Sequence, residues 1–229
     1  MCFSLTTSAI SYMLGLASAI FALCTRQWVL GLLILSYCQM QLSEMMIWYS
    51  IDEDNKNWNK IGTSFGKYLL ATHVTAIGLG LILSVIFVQK RSLKIADFIP
   101  FGVGALFFII IVAFVYAPGN YPDMTYPLKR DCAKTCQNSQ NRLQWPYPHN
   151  WYIYSFLLSM IFVIAYVKPI KSKILFFLVF SITFLLTSIF YSRSTVGSVW
   201  CWSAAFLAPV IVGLNYYLIR NEPNSAILT

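Results

Sequence analysis

The chain has 229 residues, 58% hydrophobic, 17% aromatic and only 10% charged, with mean hydropathy +0.65. Soluble domains keep about a quarter of their residues charged, so this composition excludes one and predicts an integral membrane protein. The net charge of +8 comes from cations clustered between apolar runs, a pattern of orientation signals and anionic-lipid contacts, with no nucleic-acid-binding motif.

Runs of about 20 apolar residues, enough to cross the hydrocarbon core, occur seven times. They cover 5–24, 28–50, 66–88, 98–117, 151–167, 174–192 and 197–219. Lipid leaves no partner for open backbone groups, so each run is expected to be a helix, and no β-barrel alternation is present. The predicted fold is an all-α seven-transmembrane helix bundle, one domain over 1–229, with a folded exoplasmic cap at 118–150.

In chain order, the first run carries Ala17-Ser18-Ala19, which looks like a signal-peptidase site. It lacks a basic leader, so it is read as the first helix. The second contains SYCQMQLSEMMIWYS (36–50), whose Glu44 is the anomaly of the sequence. Before the third run, GTSFG (62–66) matches the nucleophile-elbow pattern. No strand precedes it, and close packing at a helix start is the better reading. The long connection after the fourth run holds five prolines, which argue for a folded cap. Cys132 and Cys136 lie in it, either as a disulfide of an oxidising compartment or as two thiols on a helical turn. The last run opens GSVWCW and contains Pro209, which removes a backbone hydrogen bond near Ala205.

Seven crossings place the termini on opposite sides. Arg26, Lys90, Arg91, Lys94, Lys168, Lys171, Lys173 and Arg220 all fall in short segments on one side. The opposite cations share longer loops with acids, so the first side is expected to be cytoplasmic. The N-terminus is then exoplasmic and the C-terminus cytoplasmic.

A carboxylate in a span must face the bundle interior, find a partner or stay protonated. Tyr37, Gln41, Glu44 and Trp48 fall on one helical stripe, expected to turn inward. The ionisable group within another span is His73. Counted from the span ends, Glu44 lies about 9 Å deep and His73 about 10 Å deep. A Glu44–His73 contact follows, either as an interhelical clamp or as a proton- or ligand-binding pair. Cys201 reaches the same level. Cys2, Cys201, His73 and Glu44 are chemically suited to zinc or copper, although they lack chelating spacing. The last run has no lysine at its centre, which excludes a retinal Schiff base at the usual position.

Three groups of residues carry a resemblance: Cys2, Phe3 and Ser4 after the first Met; Gln41, Glu44 and Trp48; and Gly197, Ser198, Trp200, Cys201 and Trp202. In these the chain resembles a family of uncharacterised multi-span membrane proteins associated with large DNA viruses of algae and protists. The resemblance implies that these positions form one site, and it implies no activity. Three classes of function are compatible with the residues. The first is a channel or transporter for protons, ions or a small solute. The second is a receptor-like or structural protein with a ligand or partner, and the third a metal- or cysteine-dependent membrane enzyme.

Overall fold

A computed structural model of the protein describes residues 4–117, 122–127, 143–146, 150–166, 170–190 and 196–221. The described residues form α1 (Leu5–Cys24), α2 (Trp28–Asp52), α3 (Lys56–Ser84), α4 (Ile95–Ile110), α5 (Asn150–Tyr166), α6 (Ile170–Phe190) and α7 (Val196–Arg220). π-Helical turns extend α3 over Val85–Gln89 and α4 over Ile111–Tyr116. Six of these helices are long and apolar enough to cross a membrane, while α5 carries a shorter apolar stretch, Leu157–Tyr166.

α2 is the central helix. It packs against α1, α3 and α7, and the contacts α1–α7, α7–α6, α6–α5 and α5–α3 form an arc that α2 closes between α1 and α3. α4 packs on α3, and α2, α3 and α4 together line an apolar groove. Glycine sets the closest approaches, as expected where apolar side chains gain nothing by leaving lipid and backbones must supply the packing. A Cβ on Gly78 would strike the backbone of Pro100 and Phe101, and one on Gly104 would strike Val74 and Thr75. α3 and α4 therefore meet backbone to backbone at two neighbouring points.

The third helix starts earlier than expected, at Lys56 rather than at residue 66. The side chain of Asn55 caps it by accepting from the Asn57 and Trp58 amides. Its polar first turns precede the apolar stretch Ala71–Gln89, so a search for apolar runs does not see them. GTSFG thus lies inside α3 and not at its start. Its close-packing role holds there: Gly62 faces Ser43 and Ile47, and Gly66 faces Ser43 and the Trp145 ring. α4 likewise begins at Ile95, where Asp97 accepts from the Lys94 amide at 2.7 Å. α7 runs through Pro209 as one helix.

Between α4 and α5, β1 (Tyr126–Pro127) and β2 (Leu143–Gln144) pair antiparallel, Tyr126 opposite Gln144 and Pro127 opposite Leu143. Leu143 and Trp145 are buried, joining this segment to the helical core. Cys132 and Cys136 lie outside the described residues.

Candidate functional site

The α2 stripe is inside the protein. Tyr37, Gln41 and Glu44 have no exposed surface and Trp48 only 7%. Their i, i+4, i+7, i+11 spacing puts them on one face of the helix, the face turned to the interior. Ser11 of α1 meets this face, and Ser8, one turn earlier on α1, is buried as well. The Ser11 hydroxyl donates to Gln41 Oε1 at 2.7 Å. Ser43 turns the other way and donates to the Gly62 carbonyl at 2.6 Å, fixing α2 against α3. Gln41 Nε2, Trp48 Nε1 and Ser8 Oγ are buried without a hydrogen-bond partner among the described residues. Such groups cost on the order of 1–3 kcal/mol each unless a further molecule satisfies them.

His73 is buried, and its ring meets Tyr37 edge-on with centroids 6.3 Å apart. The equal depth expected for Glu44 and His73 is corrected by the register of the helices. That estimate took α3 to begin near 66, whereas Ser43 is level with Gly62 and Gly66, and Tyr37 is level with His73. Glu44 therefore lies seven residues, about 10 Å, along α2 from the His73 level, before side-chain reach is counted. Tyr37 also meets Phe180 of α6 at 6.1 Å, and Phe180 meets Phe176 at 6.5 Å. These rings stack away from Glu44 towards the basal end of the molecule, formed by the α1–α2 turn, where Phe176 lies with Gln27 and Trp28.

Of the remaining expected site residues, Cys2 and the side chain of Cys201 lie outside what the structure describes. Among the described residues no three His, Cys, Asp or Glu side chains converge as a metal set.

Two polar clusters escaped sequence reasoning. At the basal end, Asn215 Nδ2 of α7 donates to Gln27 Oε1 at 2.6 Å, and Gln27 Nε2 donates to Thr25 Oγ1 at 2.8 Å. Amides at the ends of two runs were the available signal. At the opposite end, Asn59 Nδ2 donates to the Thr125 carbonyl at 2.9 Å while the Thr125 amide donates to Asn59 Oδ1 at 2.8 Å. Beside it, Lys60 pairs with Asp123 at 2.6 Å, and the hydrogen bond to Lys60 holds the Asp123 carboxyl below its ordinary range. Compared with known protein families, curated proteins and solved structures, the chain matches none.

Proposed function

We propose that this is a seven-span channel or transporter for protons, ions or a small solute, with Glu44 as the group its cargo engages. The observation that carries the reading is the complete burial of Glu44 within the central helix of an apolar bundle. An ionisable residue inside a membrane span is costly, and its usual justification is a pathway or a ligand. Gln41 and Trp48 add polar groups on the same face that water or cargo would satisfy. Tyr37 and Phe180 would then form the constriction, with His73 beside it as a second proton-exchanging group.

In this reading α5 crosses together with the six longer helices, since its 17 residues span about 25 Å. The basal end is cytoplasmic and the cap outside in the same reading, which the cluster of short basic segments supports. The resemblance to the viral multi-span family falls on the same stripe, at Gln41, Glu44 and Trp48.

The test is proton and cation flux in proteoliposomes of the purified full chain. Wild-type vesicles should conduct above protein-free vesicles, Glu44→Gln should reduce the flux at least tenfold, and His73→Gln should change its pH profile. Equal flux in wild-type and protein-free vesicles, for protons and for alkali cations alike, would sink the proposal.

A further inference from the structure

The basal end holds a cavity of about 50 Å³ that the transport reading does not use. A water needs about 10–15 Å³ on this measure, so the space suits a few waters or one partly hydrated small ion. Its wall includes Arg26, Gln27, Trp28, Ser172 and Asn215, and among the described residues no carboxylate. Ser172 and Asn215 are 1% and 3% exposed. Three buried polar atoms of this wall have no hydrogen-bond partner among the described residues: Trp28 Nε1, Ser172 Oγ and Asn215 Oδ1. An indole nitrogen can only donate, and a hydroxyl can donate as readily as it accepts.

The backbone contributes both signs. Trp28 is the first residue of α2, and its preceding residue, Gln27, makes no side-chain cap. Ser172 stands in the first turn of α6, which begins at Ile170. Two long helices thus begin at the cavity, while α3, α5 and α7 bring their last turns to it at Gln89, Tyr166 and Ile219, so helix ends of both signs meet there and the side chains decide the charge the site prefers. Arg26 contributes a full charge at its mouth. This residue has φ 63°, a left-handed conformation that glycine adopts more cheaply. Its amide and that of Gln27 bond back to Leu23 and Ala22 at 3.1 and 2.8 Å, closing α1 in the usual manner of a left-handed cap. An arginine is therefore held where a glycine would fold at lower cost, and its side chain borders the cavity. Asp97 lines an adjoining pocket that shares Leu81, Gln89 and Tyr166 with this one, and it is already taken by Arg91 through two hydrogen bonds of 2.8 and 2.7 Å.

We propose that this cavity binds a small anion, either a halide or the anionic oxygen of a lipid phosphate. Trp28 Nε1 and Ser172 Oγ are the direct donors, and Arg26 is the charge that draws the anion in. The Asn215–Gln27 bond holds α7 to the α1–α2 turn and so fixes the cavity's shape.

The test uses the full chain in a neutral, phosphate-free detergent. Thermal unfolding is followed in sodium chloride or bromide against sodium gluconate at constant ionic strength. A saturating rise of roughly 5 °C in Tm is expected with the halides, as for a ligand bound to the native state alone. Ser172→Val and Arg26→Gln should each abolish that rise. If anionic phospholipid in gluconate gives a rise that the same two variants remove, while halides do not, the cavity is a headgroup site and the proposal stands in that form. Bromide anomalous scattering from wild-type crystals gives a check independent of the variants, with the peak expected within hydrogen-bonding reach of Trp28 Nε1 and Ser172 Oγ. The proposal is overturned if no anion shifts the wild-type Tm, or if the shift survives both substitutions. Neither outcome depends on Glu44 or on flux, so this site and the transport reading fail separately.

Discussion

Ser11 of α1 and Gln41 of α2 are joined by a 2.7 Å hydrogen bond between two wholly buried side chains. Across membrane helices such bonds average about 0.6 kcal/mol and reach about 1.7 kcal/mol. Ser11→Ala should therefore lower stability by about 1 kcal/mol, read as a Tm decrease of a few degrees. Gln41→Leu should cost no more than that, because it removes the acceptor together with its buried amide nitrogen. A loss of flux in Gln41→Leu with Tm preserved would assign the amide to the cargo and not to the scaffold.

The aromatic column makes a different demand. Tyr37 and Phe180 meet edge-on, a pairing worth about 0.5–1.5 kcal/mol beyond area burial. If the column restricts passage, Phe180→Leu keeps an apolar side chain there while removing that pairing. Flux should rise about two- to tenfold, the range those energies correspond to in rate. The rise should vanish in the Phe180→Leu, Glu44→Gln double variant. A single variant with unchanged flux would show that the rings are packing only.

Much of this arrangement was legible in the residues. Length and hydropathy identified the helices, since a run of apolar residues is itself the property that lipid selects. The inward turn of Tyr37, Gln41, Glu44 and Trp48 was legible too, because period and polarity agree on one face. The level of His73 was not. It depends on where α3 begins, and polar turns from Lys56 to Ser64 carry no hydropathy signal. The basal cavity was hidden for another reason. Gln27, Ser172 and Asn215 come from three distant segments, and only the packing of α2, α6 and α7 brings them together.

Glycine gives a prediction with its own control. Adding a methyl group at Gly78 would press on the backbone of α4, which cannot rotate away as a side chain can. Gly78→Ala should cost about 1–3 kcal/mol, the usual range for overpacking. Gly213 of α7 has nothing within 4 Å of the corresponding position. Gly213→Ala should be neutral or stabilise by about 0.5–1 kcal/mol, because a helix interior favours alanine. Equal effects at the two sites would contradict the close α3–α4 approach.

The cap end offers a choice between a charged and a neutral anchor for the segment 122–127. Lys60 and Asp123 form an exposed ion pair, with side chains 49% and 63% accessible. The carboxyl is held below its ordinary range and the ammonium above its own, in both cases chiefly through their mutual hydrogen bond. The depressed carboxylate stabilises fully above its unfolded value, about 3.9, and that contribution fades as pH falls through the lower folded value. The raised ammonium stabilises fully below its unfolded value, about 10.4, and fades as pH rises through the higher folded one. From about pH 5 to pH 9 the pair is therefore constant, and solvent exposure keeps its contribution small. Asn59 is the stronger anchor. It is buried and satisfies both the amide and the carbonyl of buried Thr125, as a neighbouring strand would. Asn59→Ala would leave both backbone groups without that partner, at a cost of roughly 2–3 kcal/mol. Hydrogen exchange at the Thr125 amide measures the difference. Protection corrected for intrinsic rates should be flat from pH 5 to pH 9 and nearly unchanged in Lys60→Gln. In Asn59→Ala it should fall by about 30- to 150-fold, the equivalent of that energy. If Lys60→Gln instead removed most of the protection, the ion pair would be the anchor and the Asn59 bonds secondary to it.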